Sequence, residues 1–276
     1  MQYSLENRIV WLLLAPLMLV MLAFFLLPAI TIALQSLGEG RPSLEVYRSL
    51  AGSVLLRRVL LTTFEISVTA TAVSLVIGYA MAMHLVRQPP KRRAFFMVLV
   101  MLPFWTSILV KSYAFTVVLG EAGLVNVALR ALSGGAVSLE LLFNRTGVVI
   151  GMTNYLLPFM VLPILANLLA LDPALRRAAE TMGAGPLRIF WAITLPLTLP
   201  GILSGVLMCL TLSIGMYITP SLLGGRSDMM MANLIDFYTR QILDWPTASA
   251  IAVILLALSG GLVLLLARVR GGNALL

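Results

Sequence analysis

One cysteine, one histidine and two lysines are all that the 276 residues hold of three residue types on which much protein chemistry depends. Cys209 alone excludes an intrachain disulfide, and its apolar surroundings in the sequence leave the redox compartment unreadable. His84 alone excludes a multi-histidine metal centre, and no other cluster of metal-ligand type is evident. Lys91 and Lys111 follow Pro90 and Val110, so there is no Gly-Lys-Ser/Thr turn to cradle a nucleotide phosphate. Any ATP that drives this protein must therefore be bound by another chain, and no cofactor is expected on this one. No nucleophile, base and acid stand in an arrangement suited to catalysis, so the chain is expected not to be an enzyme. Charge is scarce as well. Only 11% of the residues are charged, against about a quarter in soluble domains, which excludes an ordinary soluble globular fold.

Hydrophobic residues fill the space that charge leaves. They make up 60% of the chain, and the mean hydropathy is +1.01. The length accommodates about six helical spans of roughly 20 residues with their loops. The predicted spans are 9–34, 59–86, 94–119, 147–170, 197–222 and 246–267, an all-α membrane fold read as one transmembrane domain over 1–276. The first is too long for a signal-peptide core and reads as a retained span. The segment 35–58 reads as a polar loop, and 120–145 as a loop able to hold a short helix outside the core. Pro103 and Lys111 lie within the third span.

The formal net charge of +8 suits cytoplasmic loops that retain Lys and Arg rather than a nucleic-acid surface. Arg8, the run from Arg87 to Arg93, the group Arg176, Arg177 and Arg188, and the pair Arg268 and Arg270 all fall on one side of the six-span arrangement. That side is then cytoplasmic, with both termini inside. Arg41, Arg48, Arg57 and Arg58 in the first loop are an exception, some of them suited to a helix along the membrane surface, and Arg130, Arg145, Arg226 and Arg240 also fall outside, scattered among acidic residues.

The stretch from Leu171 to Ile202 mixes polar and apolar residues between two apolar runs. Asp172 suits an N-cap and Pro173 the first helical position. Leu175, Ala178, Ala179 and Met182 then share one helix face, while Arg176, Arg177 and Glu180 fall elsewhere. Gly183 and the Gly185-Pro186 pair can end the helix. Its small face, Ala178, Ala179 and Gly183, lets another surface approach closely. The plainer alternative is an interfacial helix that only links two spans.

This stretch resembles the cytoplasmic coupling motif of binding-protein-dependent ABC importer permeases, Glu-Ala-Ala, three residues, Gly, then about nine residues to Ile-x-Leu-Pro. Ala178, Ala179, Gly183, Ile193, Leu195 and Pro196 match it, and Arg177 stands where the family has Glu. The resemblance implies that Arg177, Ala178, Ala179, Glu180, Gly183, Ala184, Leu195 and Pro196 form the surface that meets an ATPase subunit and carries its movement to the spans.

Two further stretches extend the likeness: 103–107 with 111–114, and 217–225 with 231–235. Both are similar to permeases of spermidine/putrescine importers, nearest to the first of the two permeases there. The resemblance implies a six-span type I (MetI-like) core over residues 60–268 in a bacterial inner membrane. It also implies two ATP-binding subunits, a second permease in a heterodimer, an external binding protein, and alternating access as the mechanism. A permease for an opine, a phosphonate or an iron complex is the alternative within this class. A secondary transporter or channel is the alternative outside it.

Glu65 is the costliest residue to place in a span, because a carboxylate exposed to lipid is strongly disfavoured. It reads either as a cation-attracting group on the translocation path or as one half of a structural pair with Lys111 or an interfacial arginine. Lys111 can also snorkel to the interface. Trp105, Tyr113, Tyr217 and Thr219 complete the candidate path, in line with aromatic faces suited to an amine. Aromatics are, however, also expected wherever a span meets the interface. Pro220 with Gly224-Gly225 is expected to break a helix near the outer face, or simply to end one.

Overall fold

The computed structural model describes residues 2–38 and 43–272, with side chains described over 10–38 and 43–264. Arg41 lies outside the described residues, as do the side chains of Arg8, Arg268 and Arg270. All regular structure among the described residues is helical: α1 (Gln2–Gln35), α2 (Glu45–Ala51), α3 (Val54–Val86), α4 (Pro90–Trp105), α5 (Ile108–Leu119), α6 (Leu124–Leu132), α7 (Arg145–Ala170), α8 (Pro173–Thr181), α9 (Pro186–Ile189), α10 (Leu195–Ile214), α11 (Ile218–Leu223), α12 (Met231–Phe237) and α13 (Trp245–Gly272). Two five-residue π-helical turns, Phe190–Thr194 and Tyr238–Ile242, lead into α10 and follow α12. Six stretches are long and apolar enough to cross a membrane: Val10–Gln35, Val54–Val86, Ile108–Leu132, Arg145–Ala170, Pro186–Ile214 and Trp245–Leu264.

The chain divides into two compact units, Met1–Leu56 with Leu234–Leu256, and Arg57–Asn233 with Ala257–Leu276. In the first, Tyr47 donates its hydroxyl hydrogen to Ser36 Oγ at 2.7 Å, and Ser249 donates to Gln35 Oε1 at 3.4 Å. Asp244 Oδ1 accepts from Thr247 N and caps the start of α13. The segment read as a polar loop, 35–58, contains α2 and the first turn of α3. Arg57 and Arg58 therefore belong to a helix.

The second unit is built on α7, the most buried of the six stretches. Val148, Met152, Leu156, Met160, Val161 and Ile164 are fully enclosed. α10 runs antiparallel to it and approaches closely because glycine faces it twice. A Cβ on Gly201 would lie 2.7 Å from Pro163 O, and one on Gly205 would lie 2.8 Å from Met160 Sδ. Helices in lipid associate through such small-residue contacts, because lipid tails satisfy apolar side chains as well as a neighbouring helix does. α3 runs parallel to α7. Glu65 meets Arg145 near one end, and Gly78 abuts Met160 further along.

α3 turns inward the face that a soluble helix would turn out. Thr62, Thr63, Ser67, Thr71 and Ser74 are buried, while Leu61, Phe64, Val76 and Ile77 are exposed. Thr63 and Ser74 donate to the carbonyls of Val59 and Ala70, one turn earlier. This is how a hydroxyl is satisfied where water is absent.

Two spans differ from the sequence expectation. The third is not continuous over 94–119: the chain leaves the helix at Thr106 and Ser107, both extended. Neither α4 nor α5 alone reaches the length of a crossing. Pro103 lies one turn before the break, and the freed carbonyl of Pro103 accepts from Lys111 Nζ and from Thr106 Oγ1. The fifth span begins at Pro186 and ends at Ile214 rather than Leu222. The break comes at Gly215 to Tyr217, not at Pro220, which lies inside α11. Pro220 is tolerated there because N–H groups in a first helical turn have no intrahelical partner to lose.

Candidate functional site

The stretch after α7 folds as its residues require. Asp172 Oδ1 accepts from Ala174 N at 2.8 Å, and Pro173 occupies the first position of α8. At the other end Gly183 takes φ +78°, a left-handed conformation that favours glycine. Gly183 N then donates to Glu180 O and Ala184 N to Ala179 O, both at 3.0 Å, satisfying two carbonyls that the helix end leaves open. α8 is thus capped at both ends, and none of its residues is buried. Arg177, Ala178, Glu180 and Gly183 are exposed, Ala179 and Ala184 are half-buried, and Met182 is 86% exposed. Glu180 is held by Arg176, Nε to Oε1 at 2.8 Å, so the charge of this carboxylate is partly committed within α8. Arg177 makes no ion pair among the described residues.

Leu195 and Pro196 open α10 just after the π turn. Leu195 N donates to Phe190 O, five residues back, and Pro196 has no N–H to give. The widened turn re-aims the chain between α9 and α10. Thr198, fully buried, anchors it: Tyr79 and Thr198 hydroxyls lie 3.1 Å apart, and the Tyr79 ring meets Phe190 edge-on at 5.8 Å. The ends of α3 and α7 meet α8 around a cavity of about 170 Å³ whose lining includes Val86, Arg87, Leu168, Leu175 and Ile193. The basic corner after α3 and the α8 stretch therefore share one end of this unit. Tyr79 and Thr198 drew no attention in the sequence. A tyrosine and a threonine inside apolar runs carry no local signal of a shared hydrogen bond.

The candidate path residues separate. Glu65 pairs with Arg145 Nη1 at 2.6 Å, and Arg145 Nε lies 3.5 Å from Asp228 Oδ1. Asp228 is buried, and its Oδ2 accepts from Gly225 N at 3.1 Å. Side chains at Gly224 and Gly225 would collide with the Pro220 and Phe143 carbonyls, which is why two glycines stand there. The structural-pair reading of Glu65 thus has its arginine. Lys111 is not that partner: besides bonding Pro103 O, its ammonium lies 5.2 Å from the centre of the Tyr155 ring. Thr219 is buried, with its Oγ1 3.5 Å from Ser112 Oγ. Tyr217 is partly exposed, and its carbonyl accepts from Asn233 Nδ2. Trp105 and Tyr113 are 67% and 57% exposed on the surface of this chain. Among the described residues no hydrogen bond or ring contact joins Glu65 to Trp105, Tyr113, Tyr217 or Thr219. Ser67, Thr71 and Thr153 add three buried hydroxyls without a partner.

Known proteins share this arrangement. A chain of the bacterial alginate ABC transporter, solved with a periplasmic protein bound to alginate pentasaccharide, superimposes with a TM-score of 0.81 at 18% identity, over 96% of this chain and 94% of that one. A chain of the MetNI methionine ABC transporter does so with a TM-score of 0.58 at 16% identity, over 80% and 98%. In sequence, the spermidine/putrescine transport system permease protein PotB of Escherichia coli (strain K12) is 34% identical over 206 residues, 75% of each chain. PotB of Haemophilus influenzae is 35% identical over 199 residues, 72% of this chain and 70% of its own. A permease named for 2-aminoethylphosphonate transport, PhnU of Salmonella paratyphi A, is 30% identical over 263 residues, 92% and 88%. Residues 74–270 match the family described as binding-protein-dependent transport system inner membrane component. With its six membrane-length stretches, its all-helical type I importer fold and its capped, exposed α8, the chain belongs to that family and is a permease subunit of an ABC importer.

Proposed function

We propose that this chain imports a small organic cation, a polyamine such as putrescine or spermidine, as one permease of a pair. An external binding protein delivers the solute, and ATP-binding subunits, one against each permease, supply the energy. α8 is the element on which such a subunit docks. One observation carries this docking role: α8 is a two-turn helix capped at both ends with no residue buried in its own chain. A rigid helix of this kind, followed by a re-aimed turn into α10, can pass a displacement to the spans. The PotB relatives support the cation, and the exposed carboxylate of Glu121, which forms no ion pair among the described residues, suits it.

Competition for uptake in cells carrying the whole transporter tests the substrate. Unlabelled putrescine or spermidine is expected to suppress uptake of labelled spermidine, and 2-aminoethylphosphonate is expected not to. Suppression by the phosphonate alone sinks the polyamine reading and favours the PhnU-like one. Glu65→Gln is further expected to raise the half-saturating concentration of a dication without changing assembly. An unaltered value leaves Glu65 only its structural pair with Arg145.

The proposed orientation places α8 and the corner after α3 in the cytoplasm. Lys91, Gly185 and Ser227 are all exposed, and Cys209 is fully buried with Sγ 3.5 Å from Leu156 O. In a Cys209→Ala background, Lys91→Cys and Gly185→Cys are expected to resist an impermeant thiol reagent applied to spheroplasts, and Ser227→Cys to react. Labelling of Gly185→Cys from outside reverses the orientation and removes the ATPase contact.

A further inference from the structure

The corner between α3 and α4 carries a surface to which the docking role of α8 assigns no part. His84, Gln88, Lys91, Arg92, Phe95 and Phe96 line an open hollow of about 580 Å³. All six belong to the same compact unit. Lys91 and Phe95 are four residues apart on α4, as are Arg92 and Phe96, so each cation stands one helical turn, about 5.4 Å, from a ring on the same face. Phe95 is 62% exposed. The wall is held in place by its own contacts: Phe95 meets Phe96 at 5.8 Å, His84 meets Phe96 at 5.5 Å, and Gln88 Nε2 lies 3.1 Å from His84 Nε2. No Asp or Glu lines the hollow, and among the described residues neither Lys91 nor Arg92 forms an ion pair.

We infer that this hollow is a binding site for an anionic phospholipid. The phosphate lies between Lys91 and Arg92, and the first methylenes of an acyl chain lie along Phe95 and Phe96. Three features favour that occupant. The two free cations complement a single negative headgroup. The aromatic wall lies one turn deeper, which matches an amphiphile and gives a free inorganic anion nothing to bind. The position is the corner just past the end of α3, one of the membrane-length stretches, where basic side chains between helix ends hold anionic headgroups and aromatics mark the boundary. The site depends on α4 entering the membrane and not on which solute is carried. It is also distinct from α8, so lipid binding can fail while the importer assignment stands.

Native mass spectrometry of the complete purified transporter, titrated with phosphatidylglycerol or phosphatidylcholine, tests it. The parent is expected to retain phosphatidylglycerol in preference to phosphatidylcholine. Lys91→Gln/Arg92→Gln is expected to bind phosphatidylglycerol roughly 25-fold more weakly, about fivefold per cation. Both residues are exposed, so the complex should assemble, and the charge-keeping Lys91→Arg/Arg92→Lys variant should retain the lipid. Equal phosphatidylglycerol binding by the parent and the glutamine variant overturns the site. Displacement of the lipid by millimolar inorganic phosphate identifies a free-anion site and overturns the lipid assignment. Release of an ATP-binding subunit from the glutamine variant, with lipid retention unchanged, identifies a protein contact and overturns it as well.

Discussion

Ala178→Trp is expected to abolish most ATP-driven uptake while leaving the chain inserted and assembled with the proposed partner permease. Ala178 is exposed on α8 and touches no core of its own chain, so an indole there adds no strain to the fold. What it obstructs is the approach of another surface. Overfilling a well-packed contact costs about 1–3 kcal/mol, which corresponds to roughly 5- to 150-fold weaker docking. The position is preferable to Gly183. There φ is +78°, so any larger residue would strain the backbone and mix two causes in one result. Co-purification of the ATP-binding subunits and uptake in the same cells would be measured together. Normal uptake by an assembled Ala178→Trp complex would remove α8 from the coupling role. Loss of membrane insertion would show instead that α8 acts on folding.

Arg145→Met is expected to loosen the turn from Gly224 to Met230. In the parent, Arg145 joins a carboxylate on α3 to one in that turn, Glu65 on one side and Asp228 on the other. The two halves differ in weight. The Glu65 side chain is 60% exposed, so solvent screens it, and exposed pairs contribute about 0.2–1 kcal/mol. The Asp228 side chain is 5% exposed. Without Arg145 its carboxylate retains the hydrogen bond from Gly225 N and is left an unpaired buried charge. Breaking a fully buried pair costs about 3–5 kcal/mol. Here the arginine is 40% exposed and 3.5 Å from the oxygen, so about 1–3 kcal/mol is the appropriate range. Amide exchange across residues 224–230 should therefore quicken by roughly 5- to 150-fold in Arg145→Met, and by less than about fivefold in Glu65→Gln. Equal exchange in the parent and Arg145→Met would show that the two glycines and the backbone hold the turn without the ion pairs.

Much of this molecule was legible before any coordinates. Scarce charge and long apolar runs determined a helical membrane protein, because backbone polar groups in lipid must be satisfied within the segment itself. The α8 stretch was equally legible. Asp172, Pro173 and Gly183 act on their own neighbours within a turn, so their effect is local and can be read from order alone. Partnership was not legible. Glu65 could have met Lys111 or any interfacial arginine, and only the alignment of α3 beside α7 brought it to Arg145. The breaks were misplaced for the same reason. In sequence, Pro220 with Gly224-Gly225 reads as a break or a plain helix end near the outer face, and Gly224 does cap the end of α11. The fifth span itself ends earlier, at Ile214 before Gly215, and Pro220 is accommodated in the first turn of α11, which packs so close to α7 that a Cβ on Gly151 would lie 2.7 Å from Thr219 Cγ2. Lys111 finds its acceptor only because α4 ends early and leaves the Pro103 carbonyl open. The inward hydroxyl face of α3 depends on which side of that helix meets α7 and α10. Composition and local chemistry determined the class of this protein, its helices and its caps. Tertiary packing decided which charges meet, which hydroxyls are buried and where the spans break, because each of those depends on groups brought together from distant parts of the chain.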